Sequence, residues 1–138
     1  MEDVLRAITS RVEEVCGLEC GSLNSVNCNY YPVGVGIGFH SDDEYLFDGL
    51  NRDCLIVSLS LGSADGCARK FQVRLKANFA ADEEGIHKII LGHGDLMTME
   101  GLFQLFYVHG VWPGDNQDAV SAAEPECREF LRGERINL

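Results

Sequence analysis

Residues 34–44, GVGIGFHSDDE, run from a glycine-rich stretch straight into a histidine, a serine and three acids. In extended backbone, residues i and i+2 project from the same face with Cα atoms about 6.6 Å apart. His40 and Asp42 can therefore converge on one ion while Ser41 points away. A third ligand from a distant strand would complete a two-histidine, one-carboxylate facial triad, which leaves adjacent metal positions open and suits non-haem Fe(II) chemistry. His87, His93 and His109 remain as candidates. His93 lies between two glycines in a turn-like setting, and His87 opens a short strand after a polar loop, so both read as structural or solvated. His109 stands in the aromatic β-like run FYVHGV (106–111), where an unpaired buried imidazole is costly unless bonded or metallated, and is the best third ligand.

The glycines before His40 do not make a phosphate cradle. A dinucleotide fingerprint needs a strand before it and a helix opening at its end, and no G-x-x-x-x-G-K occurs. They shape a turn instead.

Upstream, Val4, Leu5, Ile8, Val12 and Val15 recur at helical spacing between an acidic start and Gly17. This predicts an amphipathic helix over residues 2–16 that packs on a sheet. Downstream, short apolar or alternating runs are separated by glycine-rich turns: Asn24 to Tyr31, Cys54 to Leu61, Lys70 to Lys76, His87 to Leu91, Asp95 to Glu100 and Leu105 to Val111. The class is mainly β with a flanking helix. Met97 and Met99 read as core packing, and Trp112 as a rim residue. Residues 113–126 read as a polar surface loop before Cys127 to Leu131 and a final RINL (135–138). A chain stopping on an apolar strand residue is expected to be incomplete at its C-terminus.

With 138 residues, 46% hydrophobic and 24% charged, the chain suits one domain with one core. Eleven basic residues against 22 acidic ones give a net charge of −11, which argues against broad electrostatic binding of a nucleic-acid backbone but leaves room for a local basic face. The densest basic cluster is Arg69, Lys70, Arg74 and Lys76. In a strand, Lys70, Arg74 and Lys76 share a face suited to phosphates. Six cysteines at irregular spacing, with no C-x-x-C, read as free and mostly buried thiols, and Cys16-x-x-x-Cys20 is a weak metal signal. No apolar run reaches the roughly 18 to 20 residues of a membrane span, and the acidic start is unlike a secretory signal. An intracellular monomer, in nucleus or cytoplasm, is the expectation.

Asn29 and Tyr31 share one strand face by the period of 2, as do Arg135 and Asn137. An arginine fork binds a carboxylate through two charge-assisted hydrogen bonds, and amide and phenol donors can bind the remaining oxygens. The set suits a small dicarboxylate beside the metal.

Taken in order and spacing, NYYPVGVGIGFHSDDE (29–44), CLIVSLSLG (54–62), GDLMTMEG (94–101), FYVHGV (106–111) and RINL (135–138) resemble AlkB-like Fe(II)- and 2-oxoglutarate-dependent dioxygenases. The resemblance covers the chain from the early helix to its last residue. It implies a single domain over residues 1–138 with a double-stranded β-helix, a jelly-roll-like pair of sheets. It also implies His40, Asp42 and His109 as iron ligands. Asn29, Tyr31, Arg135 and Asn137 match 2-oxoglutarate-binding positions, with Arg135 on the distal carboxylate. Glu44 matches an acidic position near the target base, and Asp43 backs it. In this family Fe(II), 2-oxoglutarate and dioxygen yield succinate, carbon dioxide and a hydroxylated N-alkyl group that falls away as formaldehyde. The implied partner is alkylated DNA or RNA, single-stranded or with its base flipped out. The chain departs from the family pattern in two places. It ends before the second arginine that usually follows R-x-N-L, and it lacks the sequence that builds the N-terminal lid. The alternatives are the same chemistry on a protein or lipid, or a noncatalytic β-roll fragment.

Overall fold

The computed structural model describes residues 2–32, 34–62, 68–79, 85–112 and 135–138. Helix α1 (Glu2–Cys16) is followed by strands β1 (Asn29–Tyr31), β2 (Ile37–His40), β3 (Ile56–Gly62), β4 (Arg69–Leu75), β5 (His87–Leu91) and β6 (Leu96–Met99). A single helical turn, α2 (Phe103–Phe106), leads into β7 (Tyr107–Val111), and β8 (Arg135–Asn137) closes the chain.

The helix begins with Glu2 and Asp3 in its first turn, where acids complement the positive end of the helix dipole. It stops where glycine can take a positive φ. Gly17 has φ 67°. The Leu18 amide donates to the Glu13 carbonyl at 2.8 Å and the Gly17 amide to Glu14 at 3.2 Å, a Schellman closure. The Glu13 side chain is buried and accepts from the Gly21 and Leu23 amides at 2.9 and 3.0 Å, fastening the segment that leads to β1.

Two four-stranded sheets follow, ordered β1-β8-β3-β6 and β2-β7-β4-β5, and every pairing is antiparallel. The described strands change sheet at every step except β4 to β5. This is the expected jelly-roll arrangement of a double-stranded β-helix. The core lies between the sheets and takes residues from both: Tyr31, Phe71, Val73, Leu91, Met99 and Val111 are buried, with Ile56, Met97, Phe103 and Tyr107 packed against them. Each such side chain withdrawn from water contributes about 1.5–3 kcal/mol. Met99 is a core residue and Met97 packs against the core, as expected.

Several sequence expectations are corrected. The strand expected over 24–31 shrinks to Asn29–Tyr31, because β8 pairs only with those three residues. Leu105 and Phe106 are helical, not extended: the amides of both donate to the Leu102 carbonyl. Helix α1 stands off the sheet. Val4 and Val15 are 61% and 59% exposed, and an apolar cleft of about 660 Å³ separates the helix from Leu59 and Leu96. Cys16 and Cys54 are half-buried and Cys20 and Cys28 exposed, all four as free thiols, so burial is less complete than expected. Cys67, Cys127, the 113–126 loop and Cys127 to Leu131 lie outside the described residues. Among the described residues no helix is long and apolar enough to cross a membrane.

One local feature sets the entry to the site. In the β2–β7 ladder Ile37 pairs with Val111 and His40 with His109, which leaves Gly38 and Phe39 opposite Gly110 alone. Two residues against one is a β-bulge. The strands are so close here that a Cβ on Gly110 would lie 2.8 Å from the Ile37 carbonyl oxygen and 3.2 Å from the Gly38 backbone. Backbone cannot swing aside as a side-chain tip can. Gly110→Ala is therefore expected to lower the unfolding free energy by about 1–3 kcal/mol, read as a lower urea midpoint at unchanged slope.

Candidate metal centre

His40 is the last residue of β2 and His109 its cross-strand partner in β7. Paired residues of an antiparallel ladder point to the same face, and here the ring centroids are 4.4 Å apart. Asp42 lies two residues past the strand end, so the His40-Ser41-Asp42 segment is not fully in the sheet as its period suggested. The convergence is nevertheless present. Asp42 Oδ1 is 3.7 Å from His40 Nε2 and Asp42 Oδ2 is 3.4 Å from His109 Nε2. One donor atom from each residue lies within 4.8 Å of the others, the one such group of His, Cys, Asp or Glu among the described residues. His87 and His93 stay outside it, as expected: His87 is exposed, and His93 Nδ1 accepts from the Gly62 amide at 3.2 Å.

The surroundings shape what each side chain can offer. His40 Nδ1 lies 2.9 Å from the Gly38 carbonyl. An Nδ1–H donated there leaves the Nε2 lone pair facing Asp42 and His109. His109 is 5% exposed, stacked on Phe71 at 5.3 Å and tilted against Phe103 at 6.0 Å. Burial first, and the nearby His40 second, hold its pKa down to about 4, so it is neutral at pH 7 with a lone pair to offer. Burial pushes the Asp42 carboxyl up; His40 opposes the shift, and Glu44 and Asp43 add to it. Two imidazoles and a carboxyl group, facing one another at distances longer than a good hydrogen bond, form a donor set that a divalent cation fits. It would relieve the repulsion around Asp42 and occupy the lone pairs of both rings. His40 and Asp42 are 34% and 25% exposed by side chain, against 6% for His109, so the cluster opens on their side.

Asn29, Tyr31, Arg135 and Asn137 are brought together by the other sheet. Asn29 pairs with Asn137 and Tyr31 with Arg135, and β3 continues the rows with Ser60 opposite Asn137 and Gly62 opposite Arg135. Tyr31 belongs to the core cluster, so its own side chain faces the core. Asn137 donates through Nδ2 to Ser58 Oγ and accepts from Ser60 Oγ at 3.3 Å. Ser58 and Ser60 are buried, 6% and 1% exposed, and were missed in the sequence. The signal was present in the alternation of CLIVSLSLG: here polar residues face in, while Leu59 faces the cleft under α1.

Asp43 and Glu44, one and two residues past Asp42, are exposed. Asp43 accepts from Ser41 Oγ at 3.2 Å, and the Glu44 carbonyl accepts from the Phe47 amide at 2.9 Å, opening a turn. The basic cluster is partly corrected. Arg69 is fully buried and donates to the Pro32 carbonyl at 3.0 Å. Lys76 is turned inward, donating through Nζ to the Gln104 carbonyl at 2.7 Å. Lys70 and Arg74 remain on the outer face of β4, where Arg74 lies 4.3 Å above the Phe39 ring. The exposed Lys88, opposite Gln72 in β5, joins them there. Trp112 is half-buried, its amide on the Lys70 carbonyl at 2.9 Å.

Comparison with known proteins places these features in a family. Residues 1–138 match the model of the 2OG-Fe(II) oxygenase superfamily. The chain is similar to the alpha-ketoglutarate-dependent dioxygenase alkB homolog 3 of Homo sapiens, 36% identical over 115 residues, covering 78% of this chain and 36% of that protein. The Rattus norvegicus protein of the same name is 36% identical over 115 residues, covering 78% and 35%. The Bos taurus protein is 35% identical over 115 residues, covering 78% and 36%. The chain spans about a third of the length of the curated relatives it matches. Members of this superfamily use Fe(II), 2-oxoglutarate and dioxygen. A family match across all 138 residues, on a jelly roll whose inner face gathers His40, Asp42 and His109, shows that the chain belongs to the 2OG-Fe(II) oxygenase superfamily as an AlkB-like member.

Proposed function

We propose that the chain is the oxygenase core of an enzyme that oxidatively removes N-alkyl groups from bases of DNA or RNA. His40, Asp42 and His109 would hold the iron. Asn29, Tyr31, Arg135 and Asn137 would receive 2-oxoglutarate, and Glu44 and Asp43 would meet the base. The observation that carries this reading is the convergence of the three donors on the inner face of the jelly roll. When bound, Fe(II) with 2-oxoglutarate and dioxygen would supply the oxidation, leaving succinate, carbon dioxide and, from an N-methyl group, formaldehyde.

The protein's own residues divide the remaining work. The stacked Phe71 ring and the Phe103 ring keep water from the back of His109, while the more open His40 and Asp42 side admits ligands. Asn137, tied to Ser58 and Ser60, presents a fixed polar wall across the lumen. Glu44 is exposed beside the cluster, where a carboxylate can accept from the exocyclic amine of an unstacked base. The Lys70, Arg74 and Lys88 face offers phosphate contacts on a chain that is otherwise acidic.

Incubation of the Fe(II)-loaded chain with 2-oxoglutarate and a panel of N-methylated single-stranded oligonucleotides, an N-methylated peptide and a fatty acid tests the reading. Formaldehyde and succinate in equal amounts from an oligonucleotide are expected, falling to background in His40→Ala and Asp42→Ala. Turnover of the peptide or lipid alone would move the substrate class. No turnover by folded, metal-loaded chain would favour a noncatalytic role.

A second prediction concerns the basic face. Replacing Lys70, Arg74 and Lys88 with Gln should weaken single-stranded oligonucleotide binding and flatten the slope of log K against log salt by about 2. An unchanged slope in a fluorescence-anisotropy titration would remove that face from the interface.

A further inference from the structure

Gln104 sits in the apolar run FQLF of α2, yet it is one of the most completely buried side chains of the molecule, 1% exposed. Its Oε1 accepts the backbone N–H of Asp42 at 2.9 Å, across 62 positions of sequence. Asp42 has left the β2–β7 ladder, which ends at His40, so its amide depends on a side chain for an acceptor. The rest of Gln104 is clamped. Its Nε2 reaches Met99 Sδ at 3.8 Å and its carbonyl receives Lys76 Nζ at 2.7 Å. Gly49 comes so close that a Cβ there would lie 3.2 Å from Gln104 Cβ and 3.3 Å from Cγ. A buried polar side chain held at its tip, its backbone and its stem has few alternative positions.

We infer that Gln104 is a positioning residue that holds the Asp42 segment in place for metal binding, an inference that rests on the metal reading of His40, Asp42 and His109. Partners that orient a ligand restrict the metal-free site to the competent arrangement, and losing them raises the apparent dissociation constant in inverse proportion to the fraction of time the ligand is correctly placed. The residue type fits the task. An amide offers an oxygen acceptor without adding a fourth negative charge to Asp42, Asp43 and Glu44. A hydrocarbon of the same length would fill the space and leave the Asp42 amide unpaired.

The test is an anaerobic Co(II) titration of the metal-free chain, followed by visible absorption, for wild type, Asp42→Ala, Gln104→Met and Gln104→Glu. Wild type is expected to bind and Asp42→Ala to lose binding. Gln104→Met should bind about 10–100-fold more weakly, while Gln104→Glu, which keeps an oxygen at the same reach but brings the extra negative charge, recovers only part of the loss. A purely structural role would lower the melting midpoint of Gln104→Met and leave its Co(II) affinity within about twofold of wild type, which overturns the inference while the metal reading stands. Absence of a Co(II) spectrum in folded wild type overturns both. Amide hydrogen exchange of wild type decides the matter even where Gln104→Met does not fold. Slow exchange at Asp42, outside any strand, is expected; exchange there as fast as at the neighbouring loop amides contradicts the bond.

Discussion

Pairing of His40 with His109 across β2 and β7 puts two imidazoles on the inner face of one sheet, 4.4 Å between ring centroids. Nothing in the attraction between the two rings would gather them there, since both lose water in the process. Backbone hydrogen bonds of the ladder do it, and the bulge at Gly38 and Phe39 adjusts it, turning the end of β2 so that the chain leaves the sheet immediately after His40. Gly110 makes the bulge possible by having no Cβ to meet the Ile37 carbonyl. Asp42 then reaches both rings from outside the ladder, in a segment that needs its own support.

The second sheet answers the first with polar groups. A strand in a closed two-sheet core normally turns its apolar residues inward, but β3 buries Ser58 and Ser60 and leaves Leu59 to the cleft under α1. The two serines are paired with Asn137 rather than orphaned, so the inversion costs little. A polar wall opposite a cluster of metal donors suits a lumen that takes a small charged molecule. The apolar packing is displaced toward Phe71, Val73, Met99 and Val111, behind the site.

Much of this was legible in the sequence, for reasons that can be named. Local rules sufficed for α1, whose apolar spacing and glycine stop are realised at Glu2–Cys16, and for β4 and β5, whose runs are matched to within a residue. The period of 2 put Asn29 with Tyr31 in β1, whereas His40 and Asp42 meet although Asp42 lies past the end of β2. His109 stood out because an imidazole among aromatics needs a reason to be buried. What escaped depends on contacts between distant segments. The bulge in β2 is permitted by a glycine on β7, more than 70 positions away, and no feature of GVGIG discloses it. Gln104 looks like an interruption of an apolar run until Asp42 is seen against it. Lys76 reads as surface charge because its partner is a main-chain carbonyl of α2. The inward serines escaped because alternation gives two faces without saying which is the core.

On the proposed function, one ion and one 2-oxoglutarate share the lumen between these two walls. An anaerobic titration of Fe(II) and then 2-oxoglutarate into the metal-free chain, watching for the visible charge-transfer band of the chelate, addresses it most directly. A saturable band that requires both additions and is absent in His109→Ala is predicted. Folded wild-type chain that develops no band, or a band unaltered by His109→Ala, would contradict the account.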